Sequence, residues 1–370
     1  MFILGLGIVF FLSWSLYQPI IDFFSGNMET SRSSGDEVSS RPEQPSSRPE
    51  PESQPQHSGD TQEDALRAIY MPVETLYDGD ALDEFLQMMS ANNLNCILLE
   101  LKTPEGYLIY TSSVPGAPIL EGAISNLPDT VGLLRARGYS VIASIRVFRD
   151  AAGSRSDYDK AIHYLDSNLF WLDDSKDNGG KTWLNPCSPR ARGYIVDIAV
   201  EAARMGVDAV VFSDVRFPGR LGAAYADYGA EVNEDNKADY LSTFVSEALE
   251  ALDDYGVKVY FSSPAGDSIS GDTFPYGAKP AAIAKGGYAP TLYPSEFDAS
   301  RSVYDAVTTQ LKKLGDYIDP EDADALDFLP FLQAFGGYSG DDIAQQIAAL
   351  SDRGFYSYIL YSDEGYPLAG

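Results

Sequence analysis

The sequence predicts an α/β protein, a (β/α)8 TIM barrel preceded by an N-terminal transmembrane helix and a disordered linker. Eight short β-rich runs alternate with helix-patterned stretches after residue 65, as expected for repeated βα units. Several helix-patterned stretches end at a glycine just before the next run, where glycine supplies a left-handed helix end. The first 21 residues contain no charged side chain, and residues 25–64 are rich in Ser, Pro, Glu and Gln.

Residues 1–24 are predicted to form an uncleaved membrane anchor or signal-anchor. The charge-free run 1–21 is long enough to cross a bilayer, and the bulky residues near its end offer no cleavage site. A buried core helix is the alternative, which the polar segment after it disfavours. That segment, residues 25–64, is too polar to offset the entropy of ordering and is predicted to be a disordered tether. We therefore expect a single-pass cell-membrane protein whose barrel domain, residues 65–370, is extracytoplasmic.

The strand candidates of this barrel are β-rich and bounded by turn residues. They are Arg67–Pro72, Asn95–Lys102, Ser140–Phe148, Asp208–Phe217, Lys258–Pro264, Tyr288–Tyr293, Asp327–Phe335 and Phe355–Ser362. Amphipathic segments between them, predicted as helices, include Ala81–Asn92, Leu127–Arg137, Arg190–Met205 and Asp239–Tyr255. An open doubly wound sheet is the alternative architecture, but no glycine-rich phosphate loop follows the first strand candidate.

Composition restricts the chemistry. Acidic residues outnumber basic ones by 55 to 26, for a net charge of −29, which disfavours nucleic acid as a partner because no basic patch offsets it. The histidines, His57 and His163, and the cysteines, Cys96 and Cys187, are too few for a zinc site or a disulfide framework. We expect no cofactor, no metal site and two unbridged thiols, so the chemistry is predicted to be that of carboxylates.

Polar side chains at the strand ends mark the predicted functional face, since barrel sites lie at the carboxyl ends of the strands. Period-two alternation points Cys96 and Leu98 of the second strand candidate towards the barrel axis. The same alternation points five polar residues of the second, third and seventh candidates inwards: Glu100, Lys102, Ser144, Arg146 and Gln333. This set is interpreted either as a ligand site or as a network of ion pairs and hydrogen bonds that fills the top of the barrel.

The fourth strand candidate ends in DAVVFSDVRFPG and resembles a family of glycoside-hydrolase-like (β/α)8 barrels with an FDYIRFP-like motif at this place. Five further segments resemble motifs of that family, in the same order: ELKTPEGYLIY, VIASIRVFRD, TWLNPCSP, APTLYPSEF (an MVYPSHY-like motif) and LPFLQAFGG. The resemblance spans Leu66 to about Tyr366. It implies a barrel that acts on or binds a glycan.

Several mouth positions depart from the family pattern. Ser213 stands where the family has Asp, with Asp214 in place of its Tyr, while Arg216 is retained. Asn185 and Glu100 each replace an aspartate, and the histidine of the YPSHY motif is Glu296 here. The departures indicate either a rearranged active site or a barrel that has lost hydrolysis and kept binding.

Asp214 and Glu296 are the predicted catalytic pair, since a glycosidase needs one carboxylic acid and one carboxylate. The apolar neighbours of Glu296 favour the raised pKa of an acid, and Arg216 is expected to hold Asp214 ionised. Alternation aims Asp214 away from the axis unless the strand breaks before it. The alternatives are a loop carboxylate paired with Arg216 and a surface acid at Glu296.

Aromatic rings near the strand ends are expected to pack against sugar faces. They are Tyr70, Tyr107, Trp183, Tyr293, Phe335 and Tyr361, and the predicted substrate-binding residues are Glu100, Lys102, Arg146, Trp183, Arg216, Tyr293, Gln333 and Asp363. The sequence thus predicts a membrane-tethered glycoside hydrolase-like protein that acts on an O-glycosidic bond of a poly- or oligosaccharide by carboxylate acid/base chemistry. A non-catalytic carbohydrate-binding or scaffold barrel of the same family is the alternative.

Overall fold

The computed structural model describes residues 62–298, 300–316 and 326–368. The predicted membrane anchor and the predicted linker both lie outside these residues. Within them, no helix combines the length and the apolar character needed to cross a membrane.

A single curled sheet of nine parallel strands forms the centre of the fold. Its strands are β1 (Arg67–Tyr70), β2 (Cys96–Glu100), β3 (Ser140–Arg146), β4 (Ala209–Ser213), β5 (Lys258–Phe261), β6 (Gly287–Tyr288), β7 (Asp327–Phe328), β8 (Phe331–Gln333) and β9 (Tyr358–Tyr361). Their order across the sheet is β7-β6-β5-β4-β3-β2-β1-β9-β8, and all pairs are parallel. The strands follow chain order and the first pairs with the last of the chain, unlike those of a doubly wound sheet.

The predicted seventh strand is divided into two, β7 and β8, so the sheet has nine strands where the sequence predicts eight. Pro330 lies between them and has no N–H to donate, so the ladder is interrupted there. The main chain of Phe331 nevertheless exchanges hydrogen bonds of 2.9 Å with Pro290 and Leu292, just after β6. These bonds join the two ends of the sheet, which is the arrangement of a TIM-like barrel.

Helices follow most strands and pack on the outside of the sheet. They are α1 (Gly79–Ala91), α2 (Leu127–Ala136), α3 (Ala151–Ser156), α4 (Pro189–Arg204), α5 (Lys237–Asp253), α6 (Ala265–Ser270), α7 (Pro280–Ile283), α8 (Val303–Gly315) and α9 (Gly340–Ser351). Serine side chains cap the N-termini of α4, α8 and α9. Gly138, Gly206, Gly256 and Gly354 have positive φ after α2, α4, α5 and α9, which confirms the predicted glycine-closed helix ends.

Two short two-stranded sheets were not predicted. Leu108–Tyr110 pairs with Ile119–Ile124, and His163–Tyr164 pairs with Ala226–Asp227. Three of these four strands have only two or three residues, which is too short for an alternation pattern to be recognised. The fourth, Ile119–Ile124, has six residues but contains Gly122, a residue type that is depleted in strands.

The core has two layers on the two faces of the sheet, as alternation along β2 predicts. Ile97 and Leu99 pack in the cluster that contains the helices, whereas Cys96 and Leu98 pack in the cluster inside the barrel. Cys96 and Cys187 are both free thiols, as expected. The interior-facing row of β2 therefore leads to Glu100 at the barrel mouth.

Candidate active site

Asp214 is turned towards the mouth by a break in the backbone directly after β4. Its φ is +53°, in the left-handed region that aspartate tolerates better than most residues. Asp214 Oδ1 lies 2.9 Å from Arg216 Nη2, and its Oδ2 lies 3.5 Å from Arg146 Nη1. Two guanidinium groups thus pair with one half-buried carboxylate. The direction of the Asp214 side chain is set by this backbone break and not by strand alternation.

Glu100 and Arg146 occupy neighbouring strands at the mouth, as predicted. Burial raises the pKa of Glu100, although the positive charge of Arg146 acts in the opposite direction. Tyr361 Oη lies 3.5 Å from Glu100 Oε1, and the nearby charge of Asp363 raises the pKa of Glu100 further. Asp363 itself is exposed beyond β9. The structure thus brings together four residues that the sequence analysis places near the mouth: Glu100, Arg146, Tyr361 and Asp363.

Glu296 ends a single 3-10 turn that follows β6. Its pKa is raised, first by partial desolvation and then by the negative charge of Asp267. The turn is held by Gln333, which is 1% exposed and whose Oε1 accepts a 3.2 Å hydrogen bond from Ser295 N. The main chain of Gln333 is bonded in both directions to the side chain of Gln346. Gln333 therefore positions the segment that carries Glu296.

Asp267 is a further carboxylate of the site that sequence reasoning missed. It lies in α6, after β5, and accepts a 2.9 Å hydrogen bond from Tyr276 Oη. Burial raises the pKa of Asp267, the charge of Arg216 lowers it and that of Asp214 raises it. The charge of Asp267 in turn raises the pKa of Glu296. The signal was present in the sequence, because Asp267 follows the end of the fifth strand candidate by three residues.

Trp183 is placed beside the site rather than open to it. The residue is 2% exposed, and its Nε1 donates a 2.9 Å hydrogen bond to Asp173. The guanidinium of Arg216 lies over its ring at 5.0 Å, close enough for a cation–π contact. The ring face near the mouth is thus occupied by Arg216, and contact of Trp183 with a sugar stays a prediction.

Lys102 does not continue the inward row of β2, which ends at Glu100. Its side chain is fully buried, with Nζ 2.5 Å from Asp150 Oδ2 and 2.9 Å from the carbonyl oxygen of Arg146. Burial lowers the pKa of Lys102 and Asp150 counteracts this. Gly106 covers the pair so closely that a Cβ there would lie 1.7 Å from Asp150 Oδ1. A ligand contact at Lys102, which stays a prediction, would require this pair to separate.

An aromatic wall completes the mouth. Tyr70 and Tyr361 stack at 4.9 Å, and Tyr293 meets Phe335 edge-to-face at 5.1 Å. Tyr293 is 9% exposed, so most of its ring supports this wall. A cavity of about 210 Å³ adjoins the wall and is lined by residues that include Tyr70 and Glu100.

Comparison with solved structures finds similar folds among glycoside hydrolases. The PgaB (BpsB) glycoside hydrolase domain from Bordetella bronchiseptica aligns with a TM-score of 0.59 and 16% identity, over 81% of this chain and 94% of that one. Alpha-L-fucosidase isoenzyme 2 from Paenibacillus thiaminolyticus aligns with a TM-score of 0.53 and 15% identity, over 80% and 46%. At these identities the likeness concerns the fold alone. No curated protein sequence matched.

The family comparison covers most of the chain. A family model described as "Putative glycosyl hydrolase domain" matches residues 68–366, which include all of β2–β9, β1 except its first residue, and the mouth residues described above. The resemblance that the six sequence motifs indicate is thereby confirmed. The chain belongs to this glycosyl hydrolase domain family.

Proposed function

We propose that the protein hydrolyses an O-glycosidic bond of a poly- or oligosaccharide, with Asp214 and Glu296 as the working carboxylates. Family membership supports a glycoside hydrolase-like function. The observation that carries the residue assignment is the left-handed turn at Asp214, which places its carboxylate between Arg146 and Arg216 at the mouth. Asp214 and Glu296 come from strands two apart in the barrel, β4 and β6.

Glu296 is assigned the role of general acid. Desolvation and the charge of Asp267 both favour its protonated form, which can protonate the leaving glycosidic oxygen. Asp214 is assigned the role of nucleophile or water-activating base, because ion pairs with Arg146 and Arg216 hold its carboxylate at the mouth. The two roles differ, so neither residue substitutes for the other.

The sugar is proposed to lie along the aromatic wall. Tyr70, Tyr361 and Phe335 offer ring faces or edges to the apolar C–H groups of a pyranose, while Glu100 and Arg146 offer hydrogen-bond partners for its hydroxyl groups. Gln333 is assigned a positioning role, because it holds the turn that carries Glu296. The side chains of Trp183 and Lys102 are also buried, so a direct contact of either with the sugar would require a local rearrangement.

The proposal is tested by the release of reducing ends from a panel of polysaccharides. Wild type should release them and Asp214→Asn/Glu296→Gln should not. The matched control is Asp253→Asn, which removes an exposed carboxylate at the end of α5. Release that is equal in wild type and the double variant would contradict the assignment.

A binding-only barrel is the second candidate function, and Ser213 favours it. This residue stands where the resembling family carries an aspartate, in register with Arg146 on β3. If wild type binds a glycan without turnover and Ser213→Asp gains turnover, the binding-only function is supported and the working carboxylate belongs at position 213. Turnover by wild type itself would exclude this candidate.

Membrane tethering and an extracytoplasmic barrel are also part of the proposal. They are based on the charge-free run 1–21 and the polar segment 25–64. The full chain should sediment with membranes and be released by detergent but not by high salt, whereas a chain beginning at Thr61 should be soluble. An uncleaved full chain in the soluble fraction would contradict the tether.

A further inference from the structure

We propose that a second cavity, beside α3, binds the carboxylate groups of an acidic saccharide. The cavity measures about 510 Å³ and is lined by residues that include Tyr107, Arg155, Ser156, Gly180 and Lys181. Ligand sites in proteins have volumes of about 300–1,000 Å³. None of these lining residues belongs to the mouth described above.

The walls of this cavity are fixed to one another by hydrogen bonds. Ala152 N donates to Glu105 O at 2.8 Å, which joins α3 to the loop after β2. Thr182 Oγ1 donates to Ala151 O at 3.1 Å, which joins α3 to the loop before α4. Since these hydrogen bonds hold three separate segments to one another, binding does not have to order them.

The third wall depends on a glycine. A Cβ at Gly180 would lie 2.0 Å from the carbonyl oxygen of Asp174, so the loop approaches itself too closely for any other residue. The next residue, Lys181, is held at its main chain by the carboxylate of Asp173, which accepts from Lys181 N at 2.6 Å. The Lys181 side chain stays exposed.

The charge of the cavity has the opposite sign to that of the chain. Arg155 and Lys181 are exposed, and neither forms an ion pair within the described residues. Glu105 is the single acidic residue among the described lining. In a chain with a net charge of −29, two cations without an ion pair, against one carboxylate, give the cavity a net positive lining that favours an anionic ligand.

The aromatic ring of Tyr107 in the same cavity favours a sugar as the molecule that bears the anionic group. Tyr107 is 42% exposed and lines the cavity, so its ring is available to pack against the C–H face of a pyranose. Arginine pairs with carboxylates through two parallel hydrogen bonds, which suits the C6 carboxylate of a uronic acid. The saccharide class rests on the proposed function, whereas the anionic character rests on Arg155 and Lys181.

Both cavities open on the same face of the barrel. The loop that carries Tyr107 follows β2, and α3 follows β3, so the second cavity lies at the carboxyl ends of the strands, as the mouth does. A polysaccharide that carries uronic acid residues would thus be held next to the proposed active site by a contact outside it.

Calorimetric titration of the full chain with tetragalacturonate tests the proposal, and its methyl ester serves as the uncharged ligand of the same length. We expect the ester to bind at least tenfold more weakly, and Arg155→Gln/Lys181→Gln to weaken tetragalacturonate binding at least tenfold. Tyr107→Ala should weaken both ligands. The matched control is Lys285→Gln, which removes an exposed lysine elsewhere on the barrel.

Three outcomes would overturn the cavity site. They are equal affinity for the acid and the ester, unchanged binding by Arg155→Gln/Lys181→Gln, and an equal loss in Lys285→Gln. The mouth variant Asp214→Asn/Glu296→Gln separates this inference from the proposed function. Loss of tetragalacturonate binding in that variant, with binding kept by the cavity variant, would place the ligand in the mouth and overturn the second site.

Discussion

Arg146 and Asp214 come from adjacent strands, and their side chains meet at 3.5 Å across the barrel mouth. The ladder places Arg146 opposite Ser213, the residue before Asp214. Only the positive φ of Asp214 brings the carboxylate to the guanidinium, where Arg216 approaches it from the other side at 2.9 Å. A single backbone turn therefore decides that the charged group of this strand end faces the mouth.

Asp214→Asn and Glu296→Gln should each lower turnover by several powers of ten, because each removes one of two distinct roles. Asparagine keeps the left-handed turn accessible, so the fold at position 214 should be retained. Initial rates on the glycan found by screening measure the effect. Activity that survives both substitutions would contradict the assignment and direct attention to Glu100 and to Asp363 and Glu364, two adjacent acidic residues shortly after β9.

Asp267→Asn should lower the pKa of Glu296, because the negative charge of Asp267 is one cause of its elevation. A general acid works only while protonated, so activity declines as the pH rises through its pKa. The alkaline limb of the pH–rate profile should therefore move to lower pH. NMR titration of the Glu296 carboxyl group measures the same shift without a substrate. An unchanged Glu296 pKa, or an equal shift in the control Asp253→Asn, would contradict this coupling.

Lys102→Met should destabilise the protein by about 3–5 kcal/mol, since it leaves the buried carboxylate of Asp150 without its partner. Arg137→Met is the matched control, because its pair with Asp83 has the same 2.5 Å separation but is exposed. The control should lose less than about 1 kcal/mol. Urea denaturation measures both values. Equal losses would mean that burial does not distinguish the two pairs.

Native protein should resist alkylation by iodoacetamide at pH 8, and denatured protein should take up two groups without prior reduction. Cys96 is fully buried, and burial raises the pKa of the half-buried Cys187 to about 12, so little reactive thiolate is present. Intact mass spectrometry counts the groups. Cys187→Ser should take up one group, and a wild type that takes up none after denaturation would contradict the free thiols.

The positions of most barrel strands could be predicted from the local sequence pattern. Each of the eight strand candidates contains observed strand residues, because alternation and bounding turn residues are properties of neighbours in the chain. The seventh candidate contains two strands rather than one, because Pro330 removes a ladder donor and divides it. Along β2 and β3 the same alternation placed Glu100 and Arg146 correctly at the mouth.

The sequence by itself determined the order of strands and helices, the glycine helix ends and the family, through motifs that are contiguous in the chain. Only the tertiary structure decided which charged groups meet. Lys102 is paired with Asp150, 48 residues away, and Asp267 acts on Glu296 from another strand end. Periodicity specifies the direction of a side chain only while the strand continues. Beyond its end, the backbone turn and the packing of distant segments place the carboxylates, and no local pattern encodes that packing.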